Sequence, residues 1–298
     1  MDFIRVADLG VAGLRAVLDT AAEVKRDPGP TRGRLAGRRV GLFFEKPSTR
    51  TRVSCELATI DLGGVPVVLK QDEVGLGSRE AVEDVARVLD RYLDVLAFRV
   101  FRHRDLETLA AYADAPVVNL LSDLEHPCQA LADLQTLEES RPLDGAVVAY
   151  VGDGNNVCNS LMIAGAALGV TVRVASPEGY SPAEEVVTEA RKIATGGAEV
   201  VVTADPEEAV AGADAVYADV WTSMGQELEA MKRLEAFDPY RIDAELFARA
   251  APEAIFLHCL PAHRGEEVTD EVIDHPRSRV FDQAENRLHA FKALLLHL

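Results

Sequence analysis

The sequence predicts an α/β protein with two doubly wound domains, each built on a parallel sheet and joined by two interdomain helices. Short apolar runs alternate with helical patterns along most of the chain, which is typical of parallel sheets covered on both faces. The alternation stops at the polar segment 140–145, which contains Pro and Gly, and then begins again. The length of 298 residues suits two domains of ordinary size.

In the first half, apolar runs predict four strands, each followed by a helical pattern. We expect the strands at residues 39–44, 65–69, 95–98 and 117–120. We expect the helices at residues 51–62, 80–92, 105–112 and 127–138. The polar stretch 71–79 contains glycines and is expected to be a loop. This half, residues 1–139, is the first predicted domain.

The second half repeats the pattern and forms the second predicted domain, residues 140–283. We expect its strands at residues 147–151, 171–175, 200–203, 215–218 and 255–258. We expect helices at residues 156–168 and 183–194. The amphipathic segment 284–298 is expected to be a helix that packs back on the first domain. Ligand sites are expected at the carboxyl ends of the strands.

The charge and the cysteines exclude several functional classes. A net charge of −18 argues against nucleic acid as a partner, because phosphate backbones favour Lys and Arg. An anionic substrate must then be bound by a local basic site. No apolar run is long enough to span a bilayer, and the N-terminus lacks a signal-peptide pattern, so we expect a cytoplasmic protein without membrane contact. The four cysteines form no C-x-x-C pair and predict no disulfide framework.

Residues 44–52, which read F-E-K-P-S-T-R-T-R, follow a predicted strand and open a predicted helix. A helix N-terminus presents unpaired N–H groups and a partial positive charge. The hydroxyls of Ser48, Thr49 and Thr51 add donors, and Arg50 can bind a phosphate through two hydrogen bonds. The pattern indicates an oxyanion site, although a capped helix with solvated arginines fits these residues equally well.

This segment resembles the carbamoyl-phosphate motif of the aspartate and ornithine carbamoyltransferases. The resemblance extends over nearly the whole chain. It implies that Ser48, Thr49, Arg50 and Thr51 hold a phosphate and that Arg52 supports the loop.

A second motif, H-P-C-Q, begins at His126 and opens another predicted helix. His126 and Gln129 are three residues apart and therefore share one side of that helix. The resemblance implies that H-P-x-Q contacts the carbamoyl group, that Arg99 is a further carbonyl ligand, and that Arg287 lies near the carbonyl and amine groups. A structural histidine and a surface arginine are the alternatives.

The third motif, G-D-G-N-N at residues 152–156, could indicate a nucleotide site. Val157 occupies the last glycine position of G-x-G-x-x-G, and the next strand ends at Ala175-Ser176 without an acid for a ribose. NAD binding is therefore disfavoured. The motif is similar to one in the ornithine enzymes, in which Asn156 would contact the amino acid.

The fourth motif, D-V-W-T-S-M-G at residues 219–225, follows a predicted strand. A carboxylate at a strand end can bind an ammonium group, and a glycine-containing loop can close over a ligand. A strand end with a helix-capping Ser is the alternative. D-x-x-x-S-M-G resembles the loop of the ornithine enzymes, which the aspartate enzymes lack, and implies that Asp219, Ser223 and Met224 bind ornithine.

The fifth motif, H-C-L-P, begins at His258. A thiol nucleophile and a zinc site that includes His263 are the alternatives, but neither has the required spacing. The resemblance implies that Cys259 and Asp219 orient the side-chain amine, together with the carbonyl of Leu260.

The resemblance implies one set of catalytic residues, which are Arg99, His126, Asp219, Cys259 and Arg287. It implies that carbamoyl phosphate is bound by Ser48, Thr49, Arg50, Thr51, Arg99, His126, Gln129 and Arg287. It implies that ornithine is bound by Asn156, Asp219, Ser223, Met224, Cys259 and Leu260. The implied reaction carbamoylates the side-chain amine of ornithine, gives citrulline and phosphate in arginine biosynthesis, and uses no metal or organic cofactor.

The resemblance further implies a homotrimer with sites near subunit interfaces. One departure concerns Gly75, since many ornithine enzymes place Gln or His near this position to reach carbamoyl phosphate in a neighbouring subunit. Glycine has no side chain for that contact. Carbamoyltransferases for aspartate, putrescine or acylated ornithine, a non-catalytic binding protein on the same fold, and a nucleotide-dependent oxidoreductase are the competing functions.

Overall fold

The computed structural model describes residues 1–222 and 227–298 and contains two compact units. The first unit comprises Met1–Ala132 and Glu285–Leu298, and the second comprises Asp133–Ala284. The unit boundaries fall within two helices that continue from one unit into the other along the chain. The domain ranges 1–139 and 140–283 remain a prediction.

The first unit alternates strands and helices. Its strands are β1 (Arg39–Phe44), β2 (Val65–Lys70), β3 (Val95–Arg99) and β4 (Val117–Leu121). Its helices are α1 (Gly10–Arg26), α2 (Thr49–Asp61), α3 (Gln71–Val74), α4 (Val82–Leu89), α5 (His103–Tyr112) and the start of α6 (Pro127–Ser140). Short 3-10 helices cover Val6–Leu9 and Gly29–Thr31.

The sheet of the first unit has the strand order β2-β1-β3-β4, and all of its pairings are parallel. Phe43 and Phe98 stack with ring centroids 4.8 Å apart in the core beside these strands. Phe44 and Arg99 are register partners at the carboxyl ends of β1 and β3. The parallel register therefore places Arg99 beside the start of residues 44–52, which are predicted to bind phosphate and are called the phosphate loop below.

The second unit continues the alternation. Its strands are β5 (Val147–Val151), β6 (Thr171–Ala175), β7 (Val200–Thr203), β8 (Ala215–Ala218) and β9 (Ile255–His258). Its helices are α7 (Asn156–Ala167), α8 (Glu184–Ile193), α9 (Pro206–Val210), α10 (Ala230–Phe237), α11 (Ala244–Phe247), α12 (Asp270–Ile273) and the start of α13 (Val280–His297). Short 3-10 helices cover Glu227–Glu229 and Asp238–Tyr240.

The sheet of the second unit has the order β7-β6-β5-β8-β9, again fully parallel. Val151, Ala218 and His258 are successive register partners at the carboxyl ends of β5, β8 and β9. The motifs that follow these strands therefore meet at one edge of the sheet, as expected for parallel α/β folds.

The predicted fold class, with parallel α/β sheets, is confirmed. The strands lie where they are predicted, within a residue or two at their ends. Three helices differ from the predictions. The predicted loop 71–79 contains α3, the helix predicted at 80–92 is limited to α4, and the last helix begins at Val280. Helices α1 and α9 to α12 were not predicted, although the buried side chains of α1 recur at helical spacing.

Among the described residues, we find no helix with the length and apolar character that crossing a membrane requires.

Candidate active site

The phosphate loop ends in a capped helix. Ser48 is the N-cap of α2, and its Oγ accepts a hydrogen bond from the Thr51 N–H at 3.3 Å. The same hydroxyl donates to Thr51 Oγ1 at 3.0 Å. Thr51 is buried, whereas Arg50 is half-buried. The partial positive charge at the start of α2 favours an anion there.

Arg287 connects three segments that are distant in the sequence. Its Nη1 donates to Gln129 Oε1 at 2.6 Å, and its Nη2 donates to Thr51 Oγ1 at 2.8 Å. All three side chains are buried. The planar guanidinium therefore fixes the positions of the phosphate loop, the H-P-x-Q helix and α13 within the first unit.

His126 lies in the same electrostatic environment. It is 4% exposed, and Arg99 is 6% exposed. Burial lowers the pKa of His126 well below its ordinary value, and the charges of Arg287 and Arg99 lower it further. His126 is therefore a neutral imidazole near neutral pH. A neutral ring can donate one hydrogen bond to a carbonyl oxygen beside the two cations.

A cavity of about 600 Å³ lies beside this loop. Ser48, Thr49 and Arg52 line one part of it, and Lys70 and Gln71 line another. Its volume lies in the range of roughly 300–1,000 Å³ that is usual for small-molecule sites. The first unit thus provides space next to the hydroxyls of the phosphate loop.

Gly75 ends α3 in a left-handed conformation with φ of 69°. A Cβ atom at this position would lie 2.6 Å from Arg79 Cβ. The Arg79 guanidinium instead donates hydrogen bonds to the carbonyl oxygens of Val74, at 3.2 Å, and of Glu73. The turn therefore needs glycine, which explains why this chain lacks a longer side chain here.

Asp219 is the centre of the second unit's site and is 4% exposed. Its Oδ2 accepts a hydrogen bond from Asn155 Nδ2 at 2.7 Å. Its Oδ1 accepts from Cys259 Sγ and from the Val220 N–H, both at 2.8 Å. The carboxylate is thereby held at the edge where β5, β8 and β9 end.

Sequence reasoning selected Asn156 in the G-D-G-N-N segment and missed Asn155. Asn155 caps α7, because its Oδ1 accepts from the N–H groups of Val157 and Cys158 at 2.9 and 3.2 Å. Its remaining amide hydrogens are then free to reach Asp219. Asn156 is the first residue of α7 and is partly buried. The N-cap preference of asparagine could have revealed the role of Asn155.

The turn at Cys259 is supported by His258 of the H-C-L-P motif and by Glu267, which the sequence analysis did not select. His258 Nδ1 accepts a hydrogen bond from the Leu260 N–H at 2.9 Å, and His258 Nε2 lies 3.0 Å from Glu267 Oε1. Since Nδ1 accepts, Nε2 carries the hydrogen and donates it to Glu267. Both His258 and Glu267 are fully buried. They hold Leu260 at φ of 57° beside Cys259.

Arg233 orders the segment before residue 223. Its Nη1 donates to Asp153 Oδ2 and to the Trp221 carbonyl, both at 2.8 Å. Its guanidinium also lies 4.9 Å from the centre of the Tyr180 ring. Of the predicted loop residues, Ser223, Met224 and Gly225 lie outside the described residues.

Asp219, His258 and Cys259 have side-chain atoms close enough together to bind a metal ion. Both ring nitrogens of His258 are engaged, one by Leu260 and the other by Glu267. A metal would have to displace one of these bonds. The arrangement therefore suits an ammonium group, which a carboxylate and a thiol can bind directly, better than a metal.

The structure brings the predicted residues together in two clusters. In the first unit, Arg287 contacts Thr51 and Gln129, and the charges of Arg99 and Arg287 act on His126. This cluster can bind an oxyanion and polarise a carbonyl. In the second unit, Asp219 and Cys259 can bind a cationic amine.

Comparisons with known proteins identify two regions of the chain. Residues 1–139 match the carbamoyl-P binding domain of aspartate/ornithine carbamoyltransferase, and residues 144–298 match its Asp/Orn binding domain. An ornithine carbamoyltransferase from Acidothermus cellulolyticus is 54% identical over 99% of this chain and 96% of its own length. One from Synechocystis is 50% identical over 100% of this chain and 96% of its own length.

A solved structure of ornithine carbamoyltransferase from Pyrococcus furiosus superposes with a TM-score of 0.95 and 49% identity. The match covers 99% of this chain and 95% of that one. Both halves of the sequence and the whole fold thus agree, and the chain belongs to the aspartate/ornithine carbamoyltransferase family.

Proposed function

We propose that the protein transfers the carbamoyl group of carbamoyl phosphate to the side-chain amine of L-ornithine, giving L-citrulline and phosphate in arginine biosynthesis. The observation that carries this proposal is the pairing of Asp219 with Cys259 in the unit that matches the Asp/Orn binding domain. A buried carboxylate suits an amine substrate. A cytoplasmic location fits the thiol of Cys259, which a reducing compartment keeps unoxidised.

Carbamoyl phosphate is assigned to the cationic cluster of the first unit. The start of α2, with Ser48, Thr49, Arg50 and Thr51, is assigned to the phosphate. Arg99, His126, Gln129 and Arg287 are assigned to the carbamoyl group. Neutral His126 donates a hydrogen bond to the carbonyl oxygen without adding a third positive charge.

Ornithine is assigned to the second unit. Asp219 and Cys259 orient the side-chain amine, and the Leu260 carbonyl accepts from it. Asn156, Ser223 and Met224 are assigned to the remainder of the amino acid. Asn155 is a positioning residue, because it holds Asp219 and is held in turn by the start of α7.

The reaction needs no covalent enzyme intermediate. The neutral amine attacks the carbamoyl carbon, and a C–N bond forms while negative charge develops on the carbonyl oxygen. The bond from carbon to the bridging oxygen then breaks, its electron pair leaves with phosphate, and the phosphate takes the proton of the amine. Hydrogen-bond donors placed in advance stabilise the developing charge. Holding two reactants in place can contribute about 7–11 kcal/mol to such a step.

We propose that the protein assembles as a homotrimer, for which an exposed apolar face of the first unit is the support. Val53, Leu57 and Ile60 lie at helical spacing on α2 and are each about half exposed. Val65 on the edge strand β2 is also 53% exposed. Exposed apolar side chains grouped on one helix face favour an association site there.

The first test is a panel of acceptors with carbamoyl phosphate, scored by the ureido product. We expect citrulline from ornithine. We expect at least about 10²-fold lower kcat/KM with N-acetylornithine, putrescine or aspartate, because each leaves a polar group of the site unpaired. Preference for another acceptor would move the protein to another member of the family. No ureido product from any acceptor would indicate a non-catalytic binding protein.

A crossed pair of variants tests the assignment of the two clusters. Arg50→Ala removes charge-assisted hydrogen bonds worth about 1.5–3 kcal/mol, so the KM for carbamoyl phosphate should rise roughly 10- to 100-fold. Asp219→Asn removes the charge that binds the amine and should lower kcat/KM for ornithine by a similar factor. Steady-state kinetics with each substrate varied measures both effects, with Arg34→Ala as the surface control. An equal fall in kcat/KM for carbamoyl phosphate and for ornithine in both variants would contradict the assignment.

The trimer is tested by Leu57→Glu, which places a charge on the apolar face of α2. We expect sedimentation to shift from a trimer to smaller species, because burying an unpaired carboxylate is costly. Val11→Glu is the matched control, since Val11 is an exposed apolar residue on α1. An identical sedimentation coefficient for Leu57→Glu and the wild type would exclude this face as the interface.

A further inference from the structure

The first unit contains a second cavity, which shares no lining residue with the cavity at the phosphate loop. Its volume is about 480 Å³, within the usual range for small-molecule sites. It is bounded by the end of α1, the turn that follows, the end of α2, and α13. Helix α2 has 13 residues, so the cavity lies about 20 Å from the phosphate loop along the helix axis.

The charge of this cavity opposes that of the chain. Lys25, Arg32 and Lys292 line it, with Asp61 as the acidic counterpart, in a protein of net charge −18. Lys292 is 3% exposed and forms an ion pair with Asp61. Arg32 is exposed. A local excess of positive charge against an acidic background indicates an anionic ligand.

His289 also lines this cavity. It is 8% exposed, and its buried Nδ1 has no hydrogen-bond partner in the part of the chain that the structure describes. Its Nε2 lies 3.3 Å from Glu285 Oε1. Burial lowers the pKa of His289, although the hydrogen bond to Glu285 acts in the opposite direction. In the neutral ring Nε2 donates to the carboxylate, so His289 adds no positive charge to the cavity.

We propose that this cavity binds a phosphate ester, of the class to which sugar phosphates belong. The phosphate pairs with Lys25 and Arg32. The cavity is larger than inorganic phosphate requires, which favours an ester with an organic body.

A ligand in this cavity can influence the proposed carbamoyl-phosphate site. Lys25 Nζ donates to Asn286 Oδ1 at 2.8 Å, and the next residue on α13 is Arg287. A ligand that draws Lys25 away from Asn286 would alter the support of Arg287, which contacts Thr51 and Gln129. Such coupling is reciprocal, so the ligand and carbamoyl phosphate would change each other's affinity by the same factor. This effect on activity rests on the proposed function.

Calorimetric titration of ribose 5-phosphate into the Arg50→Ala protein tests binding in the cavity. The Arg50→Ala substitution is included because it weakens competing binding at the phosphate loop. We expect saturable binding, with Kd raised about tenfold or more when Arg32→Ala is added. Adding Arg34→Ala instead is the matched control and should change Kd less than twofold. Lys292 is left intact because its loss would strand Asp61. Absence of binding, or equal effects of the two arginine variants, would overturn the proposal.

Inorganic phosphate is the second probe, and it should bind more weakly than the ester. Equal affinity for the two probes would overturn the assignment of an ester. In the wild-type protein, ribose 5-phosphate should change the KM for carbamoyl phosphate, and Arg32→Ala should abolish that change with basal activity retained. Failure of citrulline formation would count against the proposed function alone, because the binding titration does not depend on it.

Discussion

The hydrogen bonds of Arg287 are the interaction on which the site of the first unit depends. One guanidinium joins the buried hydroxyl of Thr51 to the buried amide oxygen of Gln129. These residues come from the phosphate loop, the H-P-x-Q helix and the last helix, and none of the three segments is adjacent to another in sequence. Without the arginine, two buried polar groups would lose a partner, which costs about 1–3 kcal/mol for each group.

The same guanidinium also sets the chemistry of its neighbour. With Arg99 it keeps the pKa of buried His126 well below its ordinary range, so the imidazole remains neutral. The second unit has the opposite character, because Asp219 provides negative charge and receives hydrogen bonds from Asn155 and Cys259. The cationic site suits an anionic carbamoyl donor, and the anionic site can hold the acceptor amine, which attacks in its neutral form.

Much of this organisation could be predicted from the sequence. Apolar runs located the strands, and parallel pairing explains why motifs after β1 and β3, and after β5, β8 and β9, converge. Arg287 could be selected by its family motif, but its partners Thr51 and Gln129 depend on where α13 packs. Glu267 and Asn155 were missed because their roles arise from tertiary contacts with His258 and Asp219. Helix α1 contains none of the five motifs, and it was not predicted although its apolar residues have helical spacing.

Arg287 assembles the proposed carbamoyl-phosphate site. The most direct test of this role is the affinity for a carbamoyl phosphate analogue that has carbon in place of the bridging oxygen. Calorimetry on Arg287→Lys should give a Kd at least about tenfold above that of the wild type, because lysine keeps the charge but cannot hold two partners in a plane. Arg15→Lys, a surface variant on α1, should leave Kd unchanged. A folded Arg287→Lys protein with wild-type affinity would contradict the account.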